Sequence, residues 1–264
     1  MAGKKIWVTW LPGKENEAEL QQTIKALQMV GLEVSGSPWV DDLEKCEWTE
    51  LTEMLSGEDS PDLWLMCGRS EDFNNARLRY GLSVCCSFLD FAHPSLKTFV
   101  QVIDGSVIPE LPTLLQSSEV LSSDGAWSAK VVAAAYGAPQ AIVKTDFHST
   151  IIAHSAIGQW FEVGPAEGEP EWEGAMFGVA GDNCEVTFQA VGPRGQLPEK
   201  AVNEFPSQGI KAEIGEDEYT ACALQNKISS TQSYYVKIKG FPQKIMFGGH
   251  PGTDQAAVNI ITLS

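Results

Sequence analysis

The sequence has no CxxC pair and no other cysteine spacing suited to a metal; its six cysteines stand at 46, 67, 85, 86, 184 and 222. A chain this long does not need covalent staples, so reduced thiols and a cytoplasmic location are the expectation. The adjacent Cys85 and Cys86 read as small hydrophobes on an apolar helix. No apolar run approaches the roughly 20 residues of a membrane-spanning helix. The first segment, MAGKKIWVTWLPGKEN, lacks a long apolar core and a small-residue cleavage site, which argues against a signal peptide. Basic residues are also scarce, 18 against 35 acidic, for a net charge of −17. The deficit runs through both halves, so neither offers a basic footprint for nucleic acid or anionic lipid. GxSxG, HExxH and paired-carboxylate signatures are missing. LPGKEN fails as a phosphate loop because Val8 stands where its first glycine should be.

What is present is a change of texture near residue 138. Before it, strand and helix patterns alternate. Lys5–Leu11 is an apolar strand broken by Pro12-Gly13; Asn16, with Glu19 three residues on, forms a capping pair for a helix striped by Leu20, Ile24, Leu27 and Val30. Gly31 ends that helix. Leu32–Val40 is a second extended piece. Asp41 or Asp42 caps the next helix, whose buried face is Trp48, Leu51, Met54 and Leu55. Asp62–Cys67 is apolar on both faces and reads as a central strand. Ser70 then caps a third helix, Lys97–Asp104 is a fourth strand, and Glu119–Ser122 a short fifth. Asp124 caps a last helix that Gly137 closes.

Strands separated by single helices pair in parallel through right-handed crossovers. The expectation is a three-layer α/β, flavodoxin-like domain over residues 1–138, with a five-stranded parallel sheet in the order 2-1-3-4-5.

Residues 139–264 lack a convincing helix. They offer strand-like runs split by Gly, Pro and Asn: Ala141–Phe147, Thr150–Val163, Trp172–Ala180, Cys184–Gly192, Gly209–Ile214, Glu218–Gln225, Ser233–Lys239, Lys244–Phe247 and Ala257–Leu263. EVTFQAV and YYVKIKG alternate polar with apolar, the period of half-buried strands. This predicts an all-β antiparallel sandwich or jelly roll. The loop Pro193–Gln208 is long and a candidate binding face.

In an open parallel sheet, ligands bind beyond the carboxyl ends of the strands where strand order reverses. That rule selects Trp10, Pro12 and Gly13 after strand one, Arg69, Ser70 and Glu71 after strand three, and Asp104 after strand four. At about 100° per residue, Arg77 shares a helical face with Phe73, Ala76, Tyr80, Val84 and Phe88. A guanidinium buried there needs a carboxylate, Asp104 or the local Asp72. The apolar stretch Tyr80–Ala92 predicts a helix covered on two sides by the second domain or another subunit. In the β half, Asp146 and His148 share a face and His154, His250 and Asp254 lie elsewhere on the scaffold. They read as ordinary surface or core residues rather than metal ligands.

The order of elements in residues 1–137 resembles the Toll/interleukin-receptor (TIR) domain family and its nucleoside deoxyribosyltransferase relatives. The matching segment after strand three is Ser70-Glu71-Asp72-Phe73-Asn74-Asn75-Ala76-Arg77. The resemblance implies either a homotypic interaction module or an enzyme cleaving N-glycosidic bonds in NAD or nucleosides. In the second case Glu71 would be the catalytic carboxylate and Trp10 would stack on a base. The leading expectation is a cytoplasmic signalling or defence protein without a resident cofactor. It would act through a protein partner, self-association or a small anionic ligand, with NAD as substrate only in the enzymatic alternative.

Overall fold

The computed structural model describes residues 3–11, 17–107, 110–122, 126–138, 144–250 and 258–264. Two compact units emerge: Met1–Leu43 with Glu47–Ile142, and Glu44–Cys46 with Val143–Ser264.

The first unit is the flavodoxin-like α/β layer structure. Its strands are β1 (Lys5–Trp10), β2 (Glu33–Pro38), β3 (Leu63–Gly68), β4 (Lys97–Val102) and β5 (Glu119–Leu121). All neighbouring pairs are parallel, in the order β2-β1-β3-β4-β5. Every residue of β3 is buried, as a strand covered on both faces requires. At the two edges, β2 carries Gly36 and Pro38 and β5 has three residues.

The helices are α1 (Glu17–Met29), α2 (Trp48–Ser56), α3 (Ala76–Ala92) and α4 (Trp127–Tyr136). Leu20 and Leu27 of α1 and Val131 and Ala135 of α4 share a core with Ile6, Val8, Leu63, Leu65 and Phe99. Right-handed crossovers put α2 and α3 on the opposite face, where they pack together. On that face the Trp64 indole N–H donates 2.9 Å to Thr9 Oγ1, both residues being fully buried.

Helix ends follow local chemistry. Gly31, at φ 86°, closes α1 while its own amide bonds Gln28 O and that of Leu32 bonds Leu27 O, the double bond of a left-handed C-cap. The predicted caps Asn16 and Asp124 lie outside the described residues, as do Pro12, Gly13, Pro139 and the start of the predicted strand at Ala141.

Two helix starts correct the expectation. Asp41 and Asp42 lead into a 3-10 turn, Leu43–Lys45; Cys46 then adopts φ 56°, and α2 begins only at Trp48 with no side-chain cap. Ser70 likewise caps no helix. A 3-10 turn over Asp72–Asn74 intervenes, and Asn75 Oδ1 accepts from the amides of Arg77 and Leu78 to start α3. Within α3, Tyr80, Leu82, Val84, Cys85, Cys86 and Leu89 are buried, whereas Phe91 is exposed.

The second unit is an antiparallel sandwich. Its strands are β6 (Phe147–His154), β7 (Gly158–Pro165), β8 (Ala175–Ala180), β9 (Glu185–Pro193), β10 (Ser207–Ile214), β11 (Asp217–Leu224), β12 (Gln232–Lys239), β13 (Lys244–Gly249) and β14 (Asn259–Thr262). One sheet runs β6-β7-β12-β9 and the other β10-β11-β8-β13-β14. The chain crosses repeatedly from sheet to sheet rather than completing one first.

Thr150–Val163, expected as a single strand, is a hairpin. The turn after His154 returns through Gly158 at φ 75° and pairs Ile151 with Phe161. Phe161 and Phe177 pack across the core at 5.6 Å, and Phe147 meets Phe247 edge-on at 5.0 Å. Between the sheets, Tyr234 OH donates to Gln189 Oε1 at 2.6 Å and lies 3.0 Å from Cys222 Sγ. That polar chain is fully partnered, as a buried hydroxyl must be.

Candidate functional site

The switch point of the parallel sheet falls between β1 and β3, and the carboxyl ends of these strands form a rim. The main chain welds that rim together. The Leu11 amide bonds Cys67 O at 2.8 Å, Trp39 bonds Trp10 O at 2.8 Å, and Ile103 bonds Gly68 O at 2.9 Å. Gly68 is required there by space, because a Cβ would meet Leu11 Cδ1 at 2.7 Å.

Three of the predicted residues converge on the loops after β3 and β4. The Arg69 amide donates to Asp72 Oδ2 at 2.7 Å, and the Ser70 amide to Asp104 Oδ2 at 3.3 Å. The Ser70 hydroxyl donates to Val107 O at 3.0 Å, while Asn74 Nδ2 donates to Ser70 O at 3.1 Å. Asp104 Oδ1 accepts the Ser106 amide at 3.0 Å. The amides that would cradle a phosphate in this topology are therefore already bonded to two of the protein's own carboxylates.

The two carboxylates differ electrostatically. Burial pushes the Asp72 carboxyl up; the Arg69 amide opposes this, and the charges of Glu71 and Asp104 add to it, so it stays above the usual range. For Asp104, burial alone would raise the carboxyl, but the Ser106 and Ser70 amides, with the Arg69 charge, outweigh it and hold it low.

The remaining predicted residues are placed differently. Arg77 is not buried: its side chain is 42% exposed and its Nε lies 3.6 Å from Asp41 Oδ2, not against Asp104 or Asp72. The helical phase shifts because Phe73 belongs to the 3-10 turn. Arg79 is half-buried and donates from Nη1 to Phe73 O at 3.2 Å; burial lowers its pKa and Glu110 opposes that. Glu71 is exposed beside Ser70. Trp10 is half-buried and packs against the core that α1 and α4 share with the sheet.

In the sandwich, Asp146 lies just before β6, which begins at Phe147, and His148 is the second residue of that strand. The imidazole Nδ1 of His148 lies 3.0 Å from Pro165 O and its Nε2 2.9 Å from Ser233 Oγ. His154 Nδ1 accepts the Ala156 amide, and Asp254 lies outside the described residues. Among the described residues, no group of three or more His, Cys, Asp or Glu could hold a metal ion, and no helix is long and apolar enough to cross a membrane. Sequence reasoning missed the buried Glu162, which Ser233 joins to His148. Its one signal was an acid inside the apolar run WFEVG.

No protein-family model matches the chain, and no curated protein matches it.

Proposed function

We propose that this is a two-domain binding protein that recognises a protein partner or a small polar ligand at the carboxyl rim of its parallel sheet. The observation that supports it is the engagement of the Arg69 and Ser70 amides by Asp72 and Asp104. A rim so bonded has a fixed shape and a carboxylate-rich surface next to Arg69. It suits a guest bearing hydrogen-bond donors or cationic groups better than a nucleotide pyrophosphate. A place in signalling or defence, in a cytoplasmic setting, follows from the topological likeness to TIR domains.

The test is thermal shift of the full chain against a panel containing cationic peptides, amino sugars, polyamines, nucleosides and NAD. A stabilisation by a cationic or donor-rich compound that Asp104→Asn abolishes supports the reading. Stabilisation by NAD or nucleotides alone overturns its ligand chemistry.

One observation favours a second reading: Glu71 is exposed on the same rim, in the segment where related enzymes carry a carboxylate. Chromatography of NAD and nucleosides after incubation distinguishes the two, because glycosidic cleavage abolished in Glu71→Gln establishes the enzyme.

A further inference from the structure

The loop that follows β9 covers only part of the outer face of the sheet β6-β7-β12-β9. Phe161 and Phe177 meet in the core, so the neighbouring Trp160 points to the opposite face, as strand alternation requires. Toward one end of that face Glu162 and Tyr235 are buried, and the loop bonds to them. The Gly195 amide donates to Glu162 Oε1 at 2.7 Å and the Gln196 amide to Tyr235 OH at 3.0 Å. One row further along, the cross-strand register sets Ile152 beside Trp160, Trp160 beside Lys237 and Lys237 beside Phe188. This row is left open. Phe188 is 41% exposed and Ile157, in the hairpin turn, 39%, while Ile152, Trp160 and Lys237 are half-buried.

The open row is held in place. The Trp160 indole N–H donates to Ile157 O at 3.2 Å, and the Phe188 ring meets the indole edge-on, 5.6 Å between centroids. Lys237 Nζ lies over the Trp160 ring, 5.7 Å from its centroid. Gly158 makes room for that side chain, since a Cβ there would stand 3.3 Å from Lys237 Cε. The lysine charge is unmatched. Lys211, Lys227, Lys239 and Lys244 stand against the carboxylates of Glu218, Glu173, Glu185 and Asp217 respectively. Lys237, in a chain with 35 acidic residues, meets the indole ring and no carboxylate among the described residues.

We propose that this row is the docking site for an extended segment of a partner protein that carries a carboxylate beside an apolar side chain. The carboxylate takes the Lys237 ammonium, and the apolar neighbour packs on Ile152, Ile157 and Phe188. The surface lies on the second unit and is independent of the rim of the parallel sheet. Three properties select the partner. The row is the face of a sheet rather than a cleft, which suits a macromolecule over a small molecule. A single free ammonium in a protein of net charge −17 does not hold a nucleic acid or an anionic membrane, both of which need a field of basic groups. The row crosses four strands, about 14 Å, which is the reach of roughly four residues of extended chain.

The sign of the guest's charge follows from the setting of Lys237. Its ammonium already rests on an aromatic ring, so a carboxylate arriving above it meets a donor held in place, and the attraction of the ring is retained. A cationic guest would meet Lys237 head-on. In the adjoining row Lys239 is engaged by Glu185 at 3.4 Å, which leaves Lys237 as the charge on offer. A tryptophan ringed by apolar side chains that exclude water around one charged contact has the composition of an interface centre.

The test is a random hexapeptide array probed with the labelled full chain. Expected are sequences enriched in Asp or Glu next to an aliphatic or aromatic residue. Their binding should fall by about tenfold in Lys237→Met and stay unchanged in Lys211→Met, which removes a lysine that is already paired. On the wild-type chain, the methyl 13C shifts of Ile152 and Ile157 should move during titration with the strongest peptide, a readout that needs no variant to fold. Absence of enrichment, or enrichment that Lys237→Met retains, overturns the proposal, and so do isoleucine methyls that stay still. A wild-type dimer that Lys237→Met dissolves makes the occupant a second copy of this chain and overturns the partner segment.

Discussion

The amide of Ser70 donates to Asp104 Oδ2 over 3.3 Å, tying the loop after β3 to the loop after β4. Its neighbour Arg69 is tied in the same way to Asp72, so two consecutive amides are held by two carboxylates of unlike environment.

Those environments predict a split titration. Asp72, raised by burial and by its acidic neighbours, takes up its proton at a higher pH than Asp104, which the Ser106 and Ser70 amides hold low despite the pull of burial. Carboxyl 13C shifts followed during acidification check the order. The sign for stability follows: the Asp104 contribution is complete above the ordinary carboxylate pKa and disappears as pH falls through its lowered folded value. Asp72 does the opposite and costs stability at neutral pH.

Gly81 sits in α3 against the Trp39 ring, and a Cβ would lie 2.4 Å from Trp39 Cζ2 and 3.1 Å from Leu43 Cδ2. Trp39 is buried and cannot step aside. Gly81→Ala should therefore lower stability by about 1–3 kcal/mol, despite the better helix propensity of alanine. Denaturant unfolding followed by tryptophan fluorescence measures it.

Thr9→Val keeps volume but removes the acceptor of the Trp64 indole. The orphaned N–H is fully buried, so the loss should be about 1–3 kcal/mol. Trp64→Phe in the Thr9→Val background should recover part of it, since no indole donor is then stranded. A double-mutant cycle by chemical denaturation decides.

Thiol labelling should be graded. Cys46, Cys67, Cys85, Cys86 and Cys222 are buried and Cys184 is half-exposed. Burial pushes the Cys67 thiol up to about 12 and that of Cys222 to about 11, with hydrogen bonds from Thr23 and Tyr234 respectively opposing it. Iodoacetamide applied to the native chain should modify Cys184 alone, and slowly, because burial raises that thiol too. Peptide mass mapping before and after denaturation reads the difference.

The parallel sheet was legible in the sequence because each strand is a short apolar run and each connection carries one helical stripe. Its order is the one that five strands with single-helix connections take in a doubly wound sheet. Where α3 starts was not legible. Ser70-Glu71-Asp72 has the composition of a helix entrance, yet Asn75 offers the same chemistry five residues later and wins. The error moved the helical phase, which is why Arg77 was expected inside and pairs instead with Asp41. The hairpin at 155–157 was hidden because its turn lacks proline and its only glycine comes at the return. The Glu162–Ser233–His148 trio was beyond local reading altogether, since β6, β7 and β12 bring together residues 71 and 85 positions apart.

The borders of the parallel sheet carry a consequence for crowded conditions. With Gly36 and Pro38 along one side and a three-residue strand on the other, a second molecule finds a poor template for adding a strand. Filament growth by joining sheet edge to sheet edge is thus blunted at both margins, and concentrated solutions of the protein should resist fibrillation through this layer.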